Sequence, residues 1–276
     1  MSNILRGGLL SNRIVSVLTL TLVVLLLCNY GIGNVENIKT QLKANGTSQG
    51  FSSEKNIQQR EKKNTEVPNY KILLSLTDHG PIEISSDADF SAFPGSGAAG
   101  DPYIIEGYNI TTTANYGIYI HNTTKYFIIR NCYINAVERG IYISNVAHGT
   151  AKIINNTVTD NWNDDIYLSS SGSFTVANNT VTDNWNDGIY LSSSGSSTVA
   201  NNTVTNNGHE GIALYDSGSS TVANNTFVNN GLNILSSNFL DDYLTLTIED
   251  NLVNGKPLSY LVNLADTVID QPNYYG

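Results

Sequence analysis

Apolar residues recur in short alternating runs through the second half of the chain. Gly188-Ile189-Tyr190-Leu191, Thr198-Val199-Ala200 and Thr203-Val204-Thr205 are typical. Such runs, β-branched and bounded by Asn, Gly, Ser and Asp, predict short strands separated by turns. No stretch there keeps helical spacing long enough for a helix. The pattern also repeats. Asn155–Ala177 and Asn178–Ala200 are identical at 21 of 23 positions, and Asn178–Ala200 and Asn201–Ala223 at 16 of 23. Asn opens each period, at 109, 131, 155, 178, 201 and 224. A period of this size marks a solenoid. Three short strands per period, without a helix, exclude ankyrin, tetratricopeptide and most leucine-rich arrays. The prediction is an all-β parallel β-helix solenoid of about seven coils of about 23 residues, with equivalent residues stacked roughly 4.8 Å apart.

The composition fits this reading. The chain holds 37 Asn, nearly as many as its 38 charged residues. Asn131, Asn155, Asn178, Asn201 and Asn224 fall at one position of successive coils. Stacked side-chain amides can bond up and down such a column, so these five are expected to form a structural Asn ladder. Asn also tolerates the left-handed backbone that tight corners require. Asn109, Asn122, Asn155, Asn178, Asn201 and Asn224 lie in N-x-[ST] sequences, as does Asn45. Inward-pointing ladder residues could not be glycosylated, which leaves Asn45 as the most accessible acceptor.

The G-I-Y-I units at Gly117–Ile120 and Gly140–Ile143, with the N-N-T-V units, resemble the right-handed β-helix repeat family of the pectate-lyase-like superfamily. They are especially similar to its NosD-type members. Phe93-Pro94-Gly95-Ser96-Gly97 and Asp101–Gly107 resemble the segment that opens such domains. The resemblance spans about 80–270. It implies a right-handed solenoid. It does not fix a function, because the fold hosts lyases, hydrolases, adhesins and scaffolds.

Charge divides the chain. Residues 1–79 carry 9 Lys/Arg and 5 Asp/Glu, net +4, and residues 80–276 carry 5 and 19, net -14. No basic stripe is present overall, which argues against nucleic-acid binding. Arg6 and Arg13 precede the apolar run Ile14–Cys28, so 1–33 reads as a signal peptide or N-terminal membrane anchor. A lipidated Cys28 is a further alternative. The positive flank stays cytoplasmic, so the body is expected outside the cell or on its surface. Residues 34–69 read as a polar linker and 70–108 as the cap of the solenoid. The repeats occupy 109–239, and 240–276 carries terminal strands, with Asp241–Glu249 and Leu258–Ile269 extended and Asn251–Pro257 turn-like. Solenoid ends need capping. Either 240–276 supplies the cap or the chain is part of a longer protein. Cys132 has no exported partner for a disulfide and reads as a small buried apolar residue.

Candidate chemistry collects around one turn. With the Ile residues of G-I-Y-I facing the core, Tyr119, Tyr142, Tyr167 and Tyr190 form an outward column, ended by Ala213. Before that strand lie Asp160–Asp165, Asp183–Gly188 and Asn206–Gly211. Trp162 and Trp185 stack there, with Asp160, Asp183 and His209 as further ligand-binding candidates. Aromatic rings beside carboxylates suit a glycan. Asp164, Asp165, Asp187 and Glu210 are candidates for a glycosidase acid pair. Two near-identical copies of an acidic turn suit a repeated surface better than one asymmetric catalytic site. The superfamily's hydrolases carry N-T-D and R-I-K motifs that this chain lacks. A lyase needs a basic residue, and none lies between Lys152 and Lys256. No metal set is evident, and a NosD-like metal role would want soft or imidazole ligands that are scarce here. Ca²⁺ in the stacked Asp turns stays open, because like charges one coil apart repel. The expectation is a non-catalytic glycan-binding or scaffold module. A polysaccharide lyase or hydrolase, or a NosD-like metal-handling protein, are the alternatives.

Overall fold

The computed structural model describes residues 75–237 and 240–262. The signal or anchor segment, the linker, Asn45 and residues 263–276 lie outside them. The described chain winds through three sheets, of nine, seven and seven strands, parallel except for one C-terminal hairpin in the first. One contains Thr157–Thr159, Thr180–Thr182 and Thr203–Thr205; a second contains Ile166–Ser169, Ile189–Ser192 and Ile212–Tyr215; a third contains Thr175–Ala177, Thr198–Ala200 and Thr221–Ala223. Each strand pairs with its equivalent one coil away, as Val158 with Val181 and Val181 with Val204.

Alternation places one apolar residue per short strand inside. Ile134, Val158, Val181, Val204 and Phe227 make one buried column, and Ile141, Ile166, Ile189 and Ile212 another. Ile129, Ile153, Val176, Val199 and Val222 make a third. Burying each such side chain contributes about 1.5–3 kcal/mol. Phe90, on a short 3₁₀ turn at Asp87–Ala92, is buried against Tyr103 and Phe127 at 4.8 and 5.4 Å between ring centres. Asp87 accepts bonds from Thr123 and Thr124, which hold its carboxyl down at about 2.

The corners explain the Asn. Asn131, Asn155, Asn178, Asn201 and Asn224 all adopt φ of 54–58°, and Asp160, Asp183, Asn206 and Asn229 φ of 55–60°. An ordinary L residue loses about 1–2 kcal/mol in that conformation, which Asn and Asp soften by local hydrogen bonding. The hydrogen-bonded ladder, however, lies one residue later than expected. Asn156, Asn179, Asn202, Asn225 and Asn251 are the buried amides. Each of the first four donates Nδ2 to the Oδ1 of the next, at 2.9–3.1 Å. Asn155, Asn178, Asn201 and Asn224 turn the corner and point outward, because a left-handed residue reverses the chain and sends the following side chain inward. Asn131 bonds Glu106 instead, and Cys132, buried at the ladder position, donates its backbone N–H to Asn156 Oδ1. Asn109 is not a corner residue. It lies in strand Tyr108–Thr111 opposite Tyr133, and the left-handed residue of its coil is Gly107. With corner residues outward, Asn155, Asn178, Asn201 and Asn224 are exposed N-x-[ST] positions.

The C-terminal part departs from the expected strands. Leu240–Leu244 is a short helix whose first turn carries Asp241 and Asp242, where the helix dipole favours negative charge. Thr245 donates both its backbone N–H and its hydroxyl to Asp241 O, closing that turn. Only Thr247–Glu249 of the expected Asp241–Glu249 strand pairs. Leu252–Val253 and Lys256–Pro257 form a hairpin about Asn254-Gly255, both at positive φ. Beyond the bridge at Leu258, residues 259–262 form no strand.

Candidate functional site

The acidic turn joins the first sheet to the second, and its two sides differ. A second amide ladder holds it from within. Ala136 N–H donates to Asn161 Oδ1, Asn161 N–H to Asn184 Oδ1, Asn184 N–H to Asn207 Oδ1 and Asn207 N–H to Asn230 Oδ1, at 2.8–3.3 Å. These bonds satisfy backbone groups that a buried corner would otherwise strand. They also lock the turn into the same shape coil after coil.

Outside this ladder, Trp162 and Trp185 are 65% and 64% exposed. Their rings are parallel within 1°, with centres 4.9 Å apart. They line an open depression of about 520 Å³ with Ala136, Val137, Asp160, Asn161, Asp183, Asn184 and Asn206. The carboxylates beside the Trp pair are therefore the exposed corner residues Asp160 and Asp183. Asp164, Asp187 and Glu210 do not line that depression, contrary to the expected grouping.

Asp164, Asp187 and Glu210 instead form a column leading into the Tyr strand. Asp164 is buried, receives Arg139 Nε at 3.4 Å and Asn186 Nδ2 at 2.8 Å, and still has its pKa raised by burial. Asp187 is pushed up to about 7, first by burial and then by the hydrogen bond to Glu210, whose own carboxyl is lowered by the same bond. Burial and that bond thus favour a proton on Asp187 and charge on Glu210, whose backbone N–H donates to Asp187 Oδ1 at 3.0 Å. Asn233 Nδ2 donates to Glu210 at 2.8 Å. Like charges one coil apart are thus relieved by Arg139 at one end and by the opposed shifts of Asp187 and Glu210 at the other.

Asp165 belongs to neither group. It is fully buried and accepts from Asn161 and Asn184 Nδ2. Gly117, Gly140, Gly188 and Gly211 stand at its position in other coils, and a Cβ on Gly188 would meet Gly211 O at 2.7 Å. Burial pushes its carboxyl well above the usual range.

Tyr119, Tyr142, Tyr167 and Tyr190 stack with centres 4.7–5.2 Å apart, each half-buried rather than fully exposed. Arg139 lies over the rings of Tyr142 and Tyr167 at 5.3 and 4.6 Å, a cation–π contact that sequence pattern gave no hint of. Asp187, His209 and Glu210 bring three donor atoms within 4.8 Å of one another. Three donors, one of them an imidazole, fall short of the roughly six to eight oxygens of a Ca²⁺ site. The residues do not fit that ion.

No curated protein matches the chain. Among solved structures it is similar to DFA-IIIase from Arthrobacter chlorophenolicus A6 in complex with GF2, at 16% identity and a TM-score of 0.37, over 65% of this chain and 47% of the other. A mutant of that enzyme in complex with DFA-III aligns at 18% identity and a TM-score of 0.34, over 54% of this chain and 36% of the other. The chain thus spans less than half the length of the structures it matches. The right-handed β-helix region family matches residues 95–255, a stretch that contains the repeated coils and both amide ladders. The chain belongs to the right-handed β-helix family.

Proposed function

We propose that the coils form the glycan-binding module of an exported, surface-exposed protein. The observation that carries this reading is the Trp162–Trp185 pair. Two large aromatic rings, parallel and about two-thirds exposed, contribute little to the core. An exposed apolar patch rimmed by polar groups marks a binding surface. Sugar C–H faces pack on indole rings, and Asp160, Asp183 and Asn206 supply hydroxyl-bonding partners at the rim. Export rests on Arg6, Arg13 and the run Ile14–Cys28. The test is a glycan array with the wild-type chain and the Trp162→Ala/Trp185→Ala variant. Binding that disappears in the variant supports the reading, and an empty array or an unaffected variant refutes it.

A second reading is favoured by one separate observation, the Asp187 and Glu210 carboxyls within 4.8 Å of each other, their pKa values pushed in opposite directions. Carboxyls whose pKa values are pushed apart divide the roles of acid and carboxylate between them. This reading predicts release of reducing ends from a polysaccharide, abolished by Glu210→Gln. No reducing-end release from any polysaccharide bound on the array would remove it.

A further inference from the structure

The Trp stack has a direction. Trp162 N–H bonds Val137 O, Trp185 N–H bonds Asn161 O and Gly208 N–H bonds Asn184 O, so Val137, Trp162, Trp185 and Gly208 occupy one column of successive coils. The next position after Trp185 is Gly208, which has no side chain and whose backbone does not repeat the Trp turn: a Cβ there would stand 2.0 Å from Trp185 O. The next coil is shorter here, and its Gly231 stands opposite Gly211 rather than Gly208. The indole column thus ends at Trp185, and both rings face the open depression.

The charged side chains that line the depression beside the indoles are of one sign. The depression is lined by Asp160 and Asp183 and by no Lys, Arg or His. Between Lys152 and Lys256 the chain has no Lys or Arg and 11 Asp or Glu. Arg139, the nearest cation of the turn, is held by Asp164 and the Tyr rings. Asp160 and Asp183 accept from Thr159 and Thr182 hydroxyls at 3.1 and 2.8 Å, and Asn206 reaches Asp183 at 3.3 Å, so none of these partners neutralises them. A polyanionic chain laid here would meet uncompensated repulsion, whereas a cation would gain both the carboxylates and the indole faces.

We propose that this site takes a saccharide bearing protonated amines, with a sugar ring packed on the exposed Trp162–Trp185 indoles and its ammonium on the Asp160–Asp183 row. The proposal rests on the glycan-binding reading and adds the charge class of the ligand. The test is calorimetric titration of the chain at mildly acidic pH with three oligomers of equal length: glucosamine, N-acetylglucosamine and galacturonate. The glucosamine oligomer should bind about tenfold tighter than its acetylated counterpart, from two exposed ion pairs and a cation–π contact. The galacturonate oligomer should not bind. Added salt should erode the difference, and Asp160→Asn/Asp183→Asn should bring the two hexosamine oligomers level. Equal affinity for all three, lost in Trp185→Ala, overturns the charge class and leaves the glycan reading standing. Binding that survives Trp185→Ala, or none by any oligomer, overturns both.

Discussion

Asn201 and Asn202 are adjacent, identical in type and opposite in role, so truncating them separates the two parts of a coil corner. Asn202 is 1% exposed and holds four hydrogen bonds. Its Oδ1 accepts from Asn179 N–H at 2.9 Å and Asn179 Nδ2 at 3.0 Å; its Nδ2 donates to Val176 O at 3.0 Å and Asn225 Oδ1 at 2.9 Å. Asn202→Ala strips Asn179 N–H of its partner in a dry corner. A buried orphan costs roughly 1–3 kcal/mol and each of the three other lost bonds about 1 kcal/mol, so the loss is about 4–6 kcal/mol. Asn201 is exposed, at φ 57°. Glycine takes that backbone freely, so Asn201→Gly should change stability by less than about 1 kcal/mol. Urea denaturation followed by circular dichroism reads both. Because each coil leans on its neighbours, midpoint and slope should be compared together. Equal effects, or a larger one for Asn201→Gly, would refute the assignment of the ladder to the second Asn.

Other outcomes follow from the same turn. Asp165 has a raised pKa, so its contribution to stability is intact below the unfolded carboxylate pKa and is lost as pH rises through the folded value. Asp165→Gly, which matches Gly188 of the next coil, should gain stability over wild type with rising pH; parallel melting curves across pH would contradict this. Arg139→Ala leaves Asp164 buried without its cation and should cost about 3 kcal/mol at neutral pH, measured by denaturant titration. That loss should shrink in acid, where Asp164 takes up a proton. Gly188→Ala drives a Cβ to 2.7 Å from Gly211 O and 2.9 Å from Val204 Cγ1, and should lower the thermal midpoint far more than Gly100→Ala, where space is open. Trp185→Ala should leave stability within about 1 kcal/mol, because the side chain is mostly in water.

The sequence determined the architecture by itself. Repetition at 23 residues and one apolar residue per short strand leave a parallel coil stack as the way to bury every Ile, Val and Leu column. It also located the turn where Trp162, Trp185 and the acids lie, because identical copies must stack. Tertiary structure decided which way each side chain faces. Asn155 and Asn156 are the same residue to any pattern, yet a left-handed backbone at the first sends the second into the core. Asp164, Asp165 and Asp160 all read as turn carboxylates. Only packing separates a buried partner of Arg139, a buried acceptor between two amides and an exposed rim beside the indoles. The helix at Leu240–Leu244 was likewise hidden, since five residues are too few for a period, and the two acids at its start act through a dipole that exists only once the turn has formed. Period sets the fold because it is summed over many coils, whereas orientation at a corner depends on a single backbone angle and on the neighbour one coil away.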